Sequence, residues 1–136
     1  MVEKENKKIL EPEKDVPETE ISCLSVIVVS YNTRETTLRC IRSLKDHSPA
    51  SAKMEILVVD NASADSSGTA ISEEFPEVML IENEENRGFA AACNEGIRAA
   101  GGDVLLVLNS DSRLFDGSLE RALDTLRSYI DIGVLG

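Results

Sequence analysis

The sequence predicts an α/β fold in which helices cover both faces of a mostly parallel sheet. Four short apolar runs alternate with segments whose apolar residues recur at helical spacing. The distance along the chain between successive runs leaves room for a helical crossover, which is the connection that parallel strands require. With 136 residues, of which 42% are hydrophobic, the chain is long enough to form one domain with a hydrophobic core.

The four predicted strands are short, rich in Val, Ile and Leu, and end in polar residues. The run Val104–Leu108 is the clearest, because it lies between Gly101-Gly102 and the polar stretch Asn109–Ser112. An uninterrupted apolar run of this length predicts a strand that is buried on both faces. The predicted strands span residues 24–29, 54–59, 78–81 and 104–108.

One helix is predicted to follow each strand. The first and the fourth carry apolar residues on one stripe, and the third is rich in alanine and precedes two glycines that favour a helix end. Pro76 is expected to stop the second helix. The expected helices span 34–46, a segment that reaches 75, 89–100 and 118–129, and the expected N-caps are Thr33, either Ser63 or Asp65, and Ser118.

The first 22 residues differ in composition from the rest of the chain. They contain seven acidic residues, four lysines and two of the four prolines, with almost no apolar periodicity. We therefore expect a disordered or loosely attached charged tail over residues 1–22 and an α/β domain over residues 23–136. A further apolar segment begins at Ile132 and stops at Gly136, so we expect the domain to be truncated at its C-terminal end.

The net charge of −11 argues against nucleic acid or an anionic membrane surface as the main partner. An acidic chain can still bind a phosphorylated ligand if a metal ion neutralises the contact. The odd number of cysteines favours reduced, buried thiols and a cytoplasmic location. No secretory signal and no apolar run long enough to span a membrane is visible in the sequence.

Polar residues at the strand ends point to a ligand site, because ligands of open parallel sheets bind at the carboxyl edge. Asp111, framed by an amide and hydroxyls, suits a divalent cation that carries phosphate. The turn after the first strand, Ser30–Arg34, contains no glycine, which excludes a dinucleotide-binding fingerprint, and no phosphate-binding P-loop sequence is present.

Four segments of the chain, in this order, resemble family 2 glycosyltransferases. The segments are Leu24–Asn32, Ile56–Asp65, Asn86–Gly96 and Gly102–Asp111. They are most similar to the rhamnosyltransferase-like branch, whose acidic motif usually reads Asn-Pro-Asp where this chain has Asn109-Ser110-Asp111. The resemblance covers about residues 24–136.

The resemblance implies the Rossmann-like nucleotide-binding half of a GT-A fold. It implies transfer of a sugar from a UDP- or dTDP-linked donor to a hydroxyl of a glycan or lipid-linked acceptor. The reaction would use Mg²⁺ or Mn²⁺ and invert the anomeric carbon, in the synthesis of cell-surface polysaccharide or glycan. The intact protein would then work in the cytoplasm, with the inner face of the membrane as a further possible location.

The resemblance assigns donor-binding roles to residues after the first two strands. Tyr31 would stack on the base and Asn32 would hydrogen-bond to the nucleotide, although Asn and Thr also favour a simple turn. Asp60 would accept from N3–H of a pyrimidine base. Its alternative is a helix cap or Asx turn within Asp60–Ser63. Asp65 is expected to be an acidic residue in the first helical turn.

The later motifs would hold the diphosphate and the metal. Gly88 allows close backbone approach, and Arg87 contacts a phosphate or forms an ion pair with Glu84 or Glu85. Asp111 would coordinate the divalent cation, which offsets charge on the leaving diphosphate. Asn109 stands in place of the first acid of the motif and would hydrogen-bond to ribose or to a metal-bound water.

An inverting transfer also needs a general base. No segment after the acidic motif resembles that site. Four later acidic residues are interpreted as solvated helix positions: Asp116, Glu120, Asp124 and Asp131. We therefore expect the base beyond Gly136 and an inactive isolated fragment. The alternative is a non-catalytic nucleotide-binding module that acts as a regulatory or assembly partner. A nucleotidyltransferase is disfavoured, because the first turn lacks a glycine-rich basic loop.

Overall fold

The computed structural model describes residues 19–129 and 132–135, and it confirms the predicted α/β fold. Strands and helices alternate along these residues, and each predicted strand and helix is present with small shifts of its ends. The elements are β1 Cys23–Ser30, α1 Arg34–Asp46, β2 Lys53–Asp60, α2 Ser67–Glu74, β3 Met79–Glu82, α3 Phe89–Ala99, β4 Val104–Asn109 and α4 Ser118–Ser128.

The four strands form one parallel sheet in the order β3-β2-β1-β4. The chain moves outward from β1 through β2 to β3, and then returns past β1 to add β4 on the other side. This reversal is a topological switch point, where open α/β sheets bind ligands. At the carboxyl edge, Val29 lies opposite Asn109, and Ser30 lies opposite Asp60.

Helices pack on both faces of the sheet. On one face, Val26, Val28 and Val58 join the side chains of α1 and α2 in the main core. On the other face, Ala92 and Cys93 of α3 pack against Val29 and Val59. The close approach of α3 depends on Gly96, because a Cβ atom there would lie 2.4 Å from Cγ2 of Ile27.

The prediction that the fourth strand is buried on both faces was wrong. Among the described residues β4 pairs only with β1, so it is an edge strand. Its side chains alternate, and Leu105 and Val107 are 42% and 39% exposed. The physical reason is that α3 packs against β1 and β2 and leaves the same face of β4 uncovered. An apolar run alone does not distinguish these two environments.

Of the predicted helix caps, Asp65 does bind the start of α2, whereas the cap expected from Thr33 is replaced by a contact with a distant segment. Thr33 occupies the N-cap position of α1 without a capping hydrogen bond. The main-chain N–H of Arg34 instead donates to Oδ2 of Asp65 at 2.9 Å, and that of Ser67 donates to Oδ1 of Asp65 at 3.1 Å. Asp65 thus stabilises the starts of two helices from outside both.

The other N-cap positions also differ from those predicted. The helix α2 begins at Ser67, after Ser66 in a left-handed conformation with φ of 61°, so Ser63 does not cap it. The helix α4 begins at Ser118 itself, after Gly117 with φ of 71°. The sequence therefore predicted where these helices lie more accurately than how they start.

Part of the predicted tail contacts the domain. Ile21 is buried, and the main-chain N–H and hydroxyl of Ser22 donate to Oδ2 of Asp103 at 2.9 and 2.8 Å. Asp103 is therefore structural, because it holds the chain at the start of β1. Residues 1–18, 130, 131 and 136 lie outside the described residues, so the expectations for most of the tail and for Asp131 concern parts that are not described.

Of the later acidic residues, Glu120 was interpreted wrongly as a solvated helix position. Its carboxylate accepts hydrogen bonds from the main-chain N–H groups of Ala50 and Ser51, and from the Ser51 hydroxyl at 2.6 Å. Glu120 therefore anchors the loop between α1 and β2. Asp124 follows the prediction more closely, because it is exposed and forms only a 3.4 Å ion pair with Arg127.

Candidate functional site at the switch point

A cleft of about 450 Å³ opens at the carboxyl edge of the sheet, between the ends of β1 and β4. Four of the seven predicted site residues line it, namely Tyr31, Gly88, Asn109 and Asp111. Asn32, Asp60 and Arg87 do not line it. The remaining lining residues are Val29, Thr33, Asn61, Asn86, Phe89 and Ser110.

Two aromatic side chains flank this cleft although the chain is poor in aromatics. Tyr31 is 48% exposed and Phe89 is 53% exposed. Large apolar side chains of this kind are normally covered, so two half-exposed rings at one cleft indicate a surface for a planar ligand. Sequence reasoning missed Phe89. The available signal was an aromatic residue at the first position of a helix, directly after a glycine.

Asn32 joins the turn after β1 to the turn after β2. Its backbone is left-handed, with φ of 53°. Its Oδ1 accepts from the main-chain N–H of Ala64 at 2.7 Å, and its own main-chain N–H donates to the Ser63 hydroxyl at 2.8 Å. The side chain is therefore used to hold two loops together, as in the turn alternative.

Asp60 is 4% exposed at the end of β2. Its carboxylate accepts from the main-chain N–H of Ser63 at 3.1 Å and from the Ser63 hydroxyl. These contacts form the turn that was the structural alternative for this residue. Because a carboxylate has about four lone-pair positions, the two donors from Ser63 leave room for a further donor.

Asn61, which sequence reasoning did not select, organises the loop that carries Gly88. The residue is 2% exposed. Its amide nitrogen donates to Oδ1 of Asn86 at 2.8 Å, and its Oδ1 accepts from the main-chain N–H of Arg87 at 3.0 Å and from the Asn83 amide at 3.2 Å. An Asn directly after the predicted site acid was the only available signal.

Arg87 forms an ion pair with Glu95 of α3, so the predicted partners Glu84 and Glu85 were wrong. Glu95 is also held by the Asn83 amide, which donates to its Oε2 at 2.7 Å. The helix α3 places Glu95 next to the loop that carries Arg87 and Asn83. The sequence favoured Glu84 and Glu85 because they are close to Arg87 along the chain. Gly88 has φ of +82° and no atom within 4 Å of a Cβ position, so backbone conformation favours glycine there.

Asn109 and Asp111 are exposed at the end of β4. Behind them lies the buried thiol of Cys40, whose Sγ is 3.9 Å from the main-chain oxygen of Asn109. Burial, with a smaller contribution from the negative charge of Asp111, raises the pKa of Cys40 to about 11. The thiol therefore stays protonated and acts as a weak donor to the backbone of the acidic motif.

Four hydroxyl groups connect the acidic motif to the first strand and helix. We call Ser30, Thr33, Thr37 and Ser110 the hydroxyl cluster. Thr33 Oγ1 lies 3.0 Å from Ser110 Oγ and 3.1 Å from Thr37 Oγ1, and Ser30 Oγ lies 3.0 Å from Thr37 Oγ1. Ser30 and Thr37 are fully buried. The cluster fixes Ser110, and with it the turn that follows β4.

The oxygen atoms of the cleft fit a divalent cation only in part. Asp111 is the one carboxylate among the described lining residues. In the described part of the chain, no three His, Cys, Asp or Glu side chains form a metal-binding group. Mg²⁺ is commonly held by one or two carboxylates, with the remaining positions filled by phosphate oxygens and waters. The residues therefore fit a cation that arrives with a diphosphate.

Comparison with known proteins identifies the family. The sequence profile of Glycosyl transferase family 2 matches residues 25–136. The chain belongs to this family. One family relative is the succinoglycan biosynthesis protein ExoO of Rhizobium meliloti, 33% identical over 102 residues that cover 74% of this chain and 29% of ExoO. The chain spans about a third of the length of ExoO and of two other curated relatives that it matches.

Solved structures show the GT-A fold for this family 2 chain. S. aureus TarS 1-349 in complex with UDP is 25% identical, with a TM-score of 0.68, over 76% of this chain and 31% of that one. The mannosyltransferase PcManGT from Pyrobaculum calidifontis, in complex with GDP-Man and Mn²⁺, is 23% identical, with a TM-score of 0.69, over 93% of this chain and 37% of that one.

Within residues 19–129 and 132–135, no helix is both long and apolar enough to cross a membrane.

Proposed function

We propose that this chain is the donor-binding part of a glycosyltransferase that transfers a sugar from a nucleoside diphosphate sugar to an acceptor hydroxyl. The proposal rests on one observation above all, which is that Tyr31, Phe89 and Asp111 line a single cleft at the switch point. Two exposed rings suit a base, and an exposed carboxylate suits the cation that a diphosphate brings. A cation would also offset the repulsion between a diphosphate and a chain whose net charge is −11.

The donor base would lie at the aromatic side of the cleft. Tyr31 and Phe89 offer faces or edges for stacking, which is worth about 1–3 kcal/mol per base. Asp60 is 4% exposed and does not line the cleft, so it would select a pyrimidine only if the bound base reaches its carboxylate. The lone pairs that Ser63 leaves unused would then accept from N3–H of the base. The UDP complex of TarS supports a UDP- or dTDP-linked donor. Because PcManGT was solved with GDP-Man, binding of a pyrimidine nucleotide has to be compared with binding of GDP.

The diphosphate would lie against the start of α3. Gly88 and Phe89 line the cleft where this helix begins, and free N–H groups at a helix start attract phosphate. Asn109 would hydrogen-bond to ribose or to a metal-bound water. Arg87 pairs with Glu95 through Nη1 and does not line the cleft, so a phosphate contact would require its side chain to move.

Mg²⁺ or Mn²⁺ bound with the donor would neutralise the charge that develops on the departing nucleoside diphosphate. Asp111 would hold that cation, and Tyr31 would hold the base. We propose that transfer inverts the anomeric carbon. The general base is expected outside this cleft, because Asp111 is the one carboxylate among its described lining residues.

The biological role that fits best is the synthesis of a cell-surface polysaccharide or glycan. The family relative ExoO, a succinoglycan biosynthesis protein, supports this role. We propose a glycan or lipid-linked acceptor. We further propose cytoplasmic catalysis near the inner face of the membrane, membership of the rhamnosyltransferase-like branch, and a division into a charged tail over 1–22 and a donor-binding domain over 23–136.

Titration calorimetry with UDP, dTDP and GDP, each with and without Mn²⁺, tests the proposal. We expect binding of a pyrimidine nucleotide that strengthens with Mn²⁺, and we expect Asp111→Ala to remove this strengthening. Asp116→Ala is the matched control, because Asp116 is exposed and lies outside the cleft. Equal Mn²⁺ dependence in Asp111→Ala and the unsubstituted protein would contradict the metal assignment.

A second candidate is a non-catalytic nucleotide-binding module, and the single carboxylate of the cleft favours it. Such a module would bind the nucleotide as described but would not consume a donor. Incubation of the chain with UDP-sugars and Mn²⁺ tests the module, because a module would release no UDP from any of them. Release of UDP that depends on Asp111 would support the enzyme and exclude the module.

A further inference from the structure

The hydroxyl cluster brings four side-chain hydroxyl groups, each with one hydrogen to donate, within hydrogen-bonding distance of one another. Its two inner members, Ser30 and Thr37, are fully buried, so water does not compete for their hydrogen bonds. Its two outer members, Thr33 and Ser110, line the cleft. The direction of each hydrogen bond in the cluster therefore decides whether the hydroxyls at the cleft offer a hydrogen or only lone pairs to a ligand.

Proton counting fixes these directions. Thr37 Oγ1 lies 2.8 Å from the main-chain oxygen of Thr33, and because a carbonyl has no proton, Thr37 must donate there. The oxygen of Thr37 then offers only lone pairs, so the hydroxyls of Ser30 and Thr33 both donate to it, at 3.0 and 3.1 Å. With the Thr33 proton used, the 3.0 Å contact between Thr33 and Ser110 requires the proton of Ser110.

Any other assignment leaves a short contact between two oxygens without a proton. If Thr33 donated to Ser110 instead, the 3.1 Å contact between Thr33 and Thr37 would set lone pair against lone pair. The preferred assignment uses every proton and leaves unfilled only the longest contact, 3.3 Å between Ser30 and Thr33. Ser110 is thus a donor toward the protein and an acceptor toward the cleft.

We propose that Ser110 accepts a hydrogen bond from an O–H group that the ligand brings, either a ribose hydroxyl or a water bound to the divalent cation. This inference rests on the proposed function of the cleft. Thr33 is the positioning residue, because it holds the Ser110 proton away from the ligand. An unshielded phosphate oxygen is disfavoured at this point, since it would face the lone pairs of Ser110 and the carboxylate of Asp111.

Calorimetry with UDP, 2′-deoxy-UDP and 3′-deoxy-UDP, each with and without Mn²⁺, tests this assignment. Ser110→Ala should weaken the affinity for UDP with Mn²⁺ about threefold to tenfold, as expected for one hydrogen bond. Ser112→Ala is the matched control, because Ser112 lies two residues further on and outside the cleft. Its affinity should remain within about twofold of the unsubstituted protein.

The deoxy nucleotides identify the source of the O–H group. If it is a ribose hydroxyl, the effect of Ser110→Ala should vanish for the nucleotide that lacks that hydroxyl. If it is a metal-bound water, the effect should be equal for all three nucleotides and present only with Mn²⁺. Equal affinity of Ser110→Ala and the unsubstituted protein would overturn the inference, as would a loss that is the same for every nucleotide with and without Mn²⁺.

Substitutions of Thr33 test the positioning role. Thr33→Ser keeps the hydroxyl and should keep the affinity for UDP, whereas Thr33→Val removes the acceptor and should lower it. In a protein that already carries Ser110→Ala, Thr33→Val should cause little further loss of affinity for UDP, because Thr33 acts through Ser110. Additive losses would overturn this role. Failure of the unsubstituted protein to bind any nucleotide would instead overturn the proposed function, and this inference with it.

Discussion

The amide nitrogen of Asn61, buried at the end of β2, lies 2.8 Å from Oδ1 of Asn86 in the loop before α3. The oxygen of the same amide accepts from the main-chain N–H of Arg87 at 3.0 Å. One side chain thereby fixes the loop that presents Gly88 and Phe89 to the cleft. Because Asn61 directly follows β2, the sheet determines where Phe89 lies at the cleft.

We expect Asn61→Ala to lower the free energy of unfolding by about 1–3 kcal/mol, because buried partners in the loop lose their hydrogen bonds. It should also weaken UDP binding, since Phe89 would no longer be held at the cleft. Urea denaturation and calorimetry measure the two effects. Asn94→Ala, at an exposed position of α3, is the control. Equal stability of the two variants would refute this role for Asn61.

Gly96→Ala should destabilise the domain although alanine favours helices. The new Cβ would lie 2.4 Å from Cγ2 of Ile27, on a stiff side chain in the central strand. Overpacking costs about 1–3 kcal/mol, while the gain in helix propensity is about 1 kcal/mol, so we expect a net loss. Thermal unfolding measures it. Gly101→Ala is the control, because its Cβ would lie no closer than 3.7 Å to another group.

Asp65 should make stability depend on pH. Burial acts to raise the pKa of Asp65. Hydrogen bonds from the Ser67 hydroxyl and from the main-chain N–H groups of Arg34 and Ser67 outweigh this effect, so the pKa of Asp65 lies below its ordinary value of 3.8. A carboxyl group whose pKa is lower in the folded than in the unfolded state stabilises the fold at pH values above its unfolded-state pKa. This stabilisation is lost as the pH falls through its folded-state pKa. Asp65→Asn should therefore show a smaller loss of stability on acidification.

Urea denaturation between about pH 2 and pH 6 measures this difference. The exposed Asp46 provides the matched control, as Asp46→Asn leaves both helix starts intact. At neutral pH, Asp65→Asn should already be less stable than the unsubstituted protein. An unchanged slope of stability against pH in Asp65→Asn would show that Asp65 does not act in this way.

Patterns carried by a single element were predictable from the sequence. The limits of α1, for example, match those expected, because its apolar spacing is strong and local. The contact of Asp65 with the start of α1 was not predictable, since it joins residues 31 positions apart. The exposed face of β4 was missed for a similar reason, because the strand at the edge of a sheet has the same apolar composition as a central one.

The candidate site shows the same division. The ends of β1 and β4 meet at the switch point, so Tyr31, Asn109 and Asp111 were expected together and do line one cleft. The ion pair between Arg87 and Glu95 was missed, because it depends on how α3 returns over the loop. Phe89 was missed because an aromatic residue at a helix start is usually read as part of the core.

The central claim is that Asp111 and a nucleoside diphosphate hold one divalent cation together. Electron paramagnetic resonance of Mn²⁺, titrated with the protein in the presence and absence of UDP, tests it most directly. We predict that Mn²⁺ binds tightly only when UDP is present and that Asp111→Ala abolishes this binding, while Asp116→Ala does not. Equal Mn²⁺ binding without UDP, or unchanged binding in Asp111→Ala, would contradict the claim.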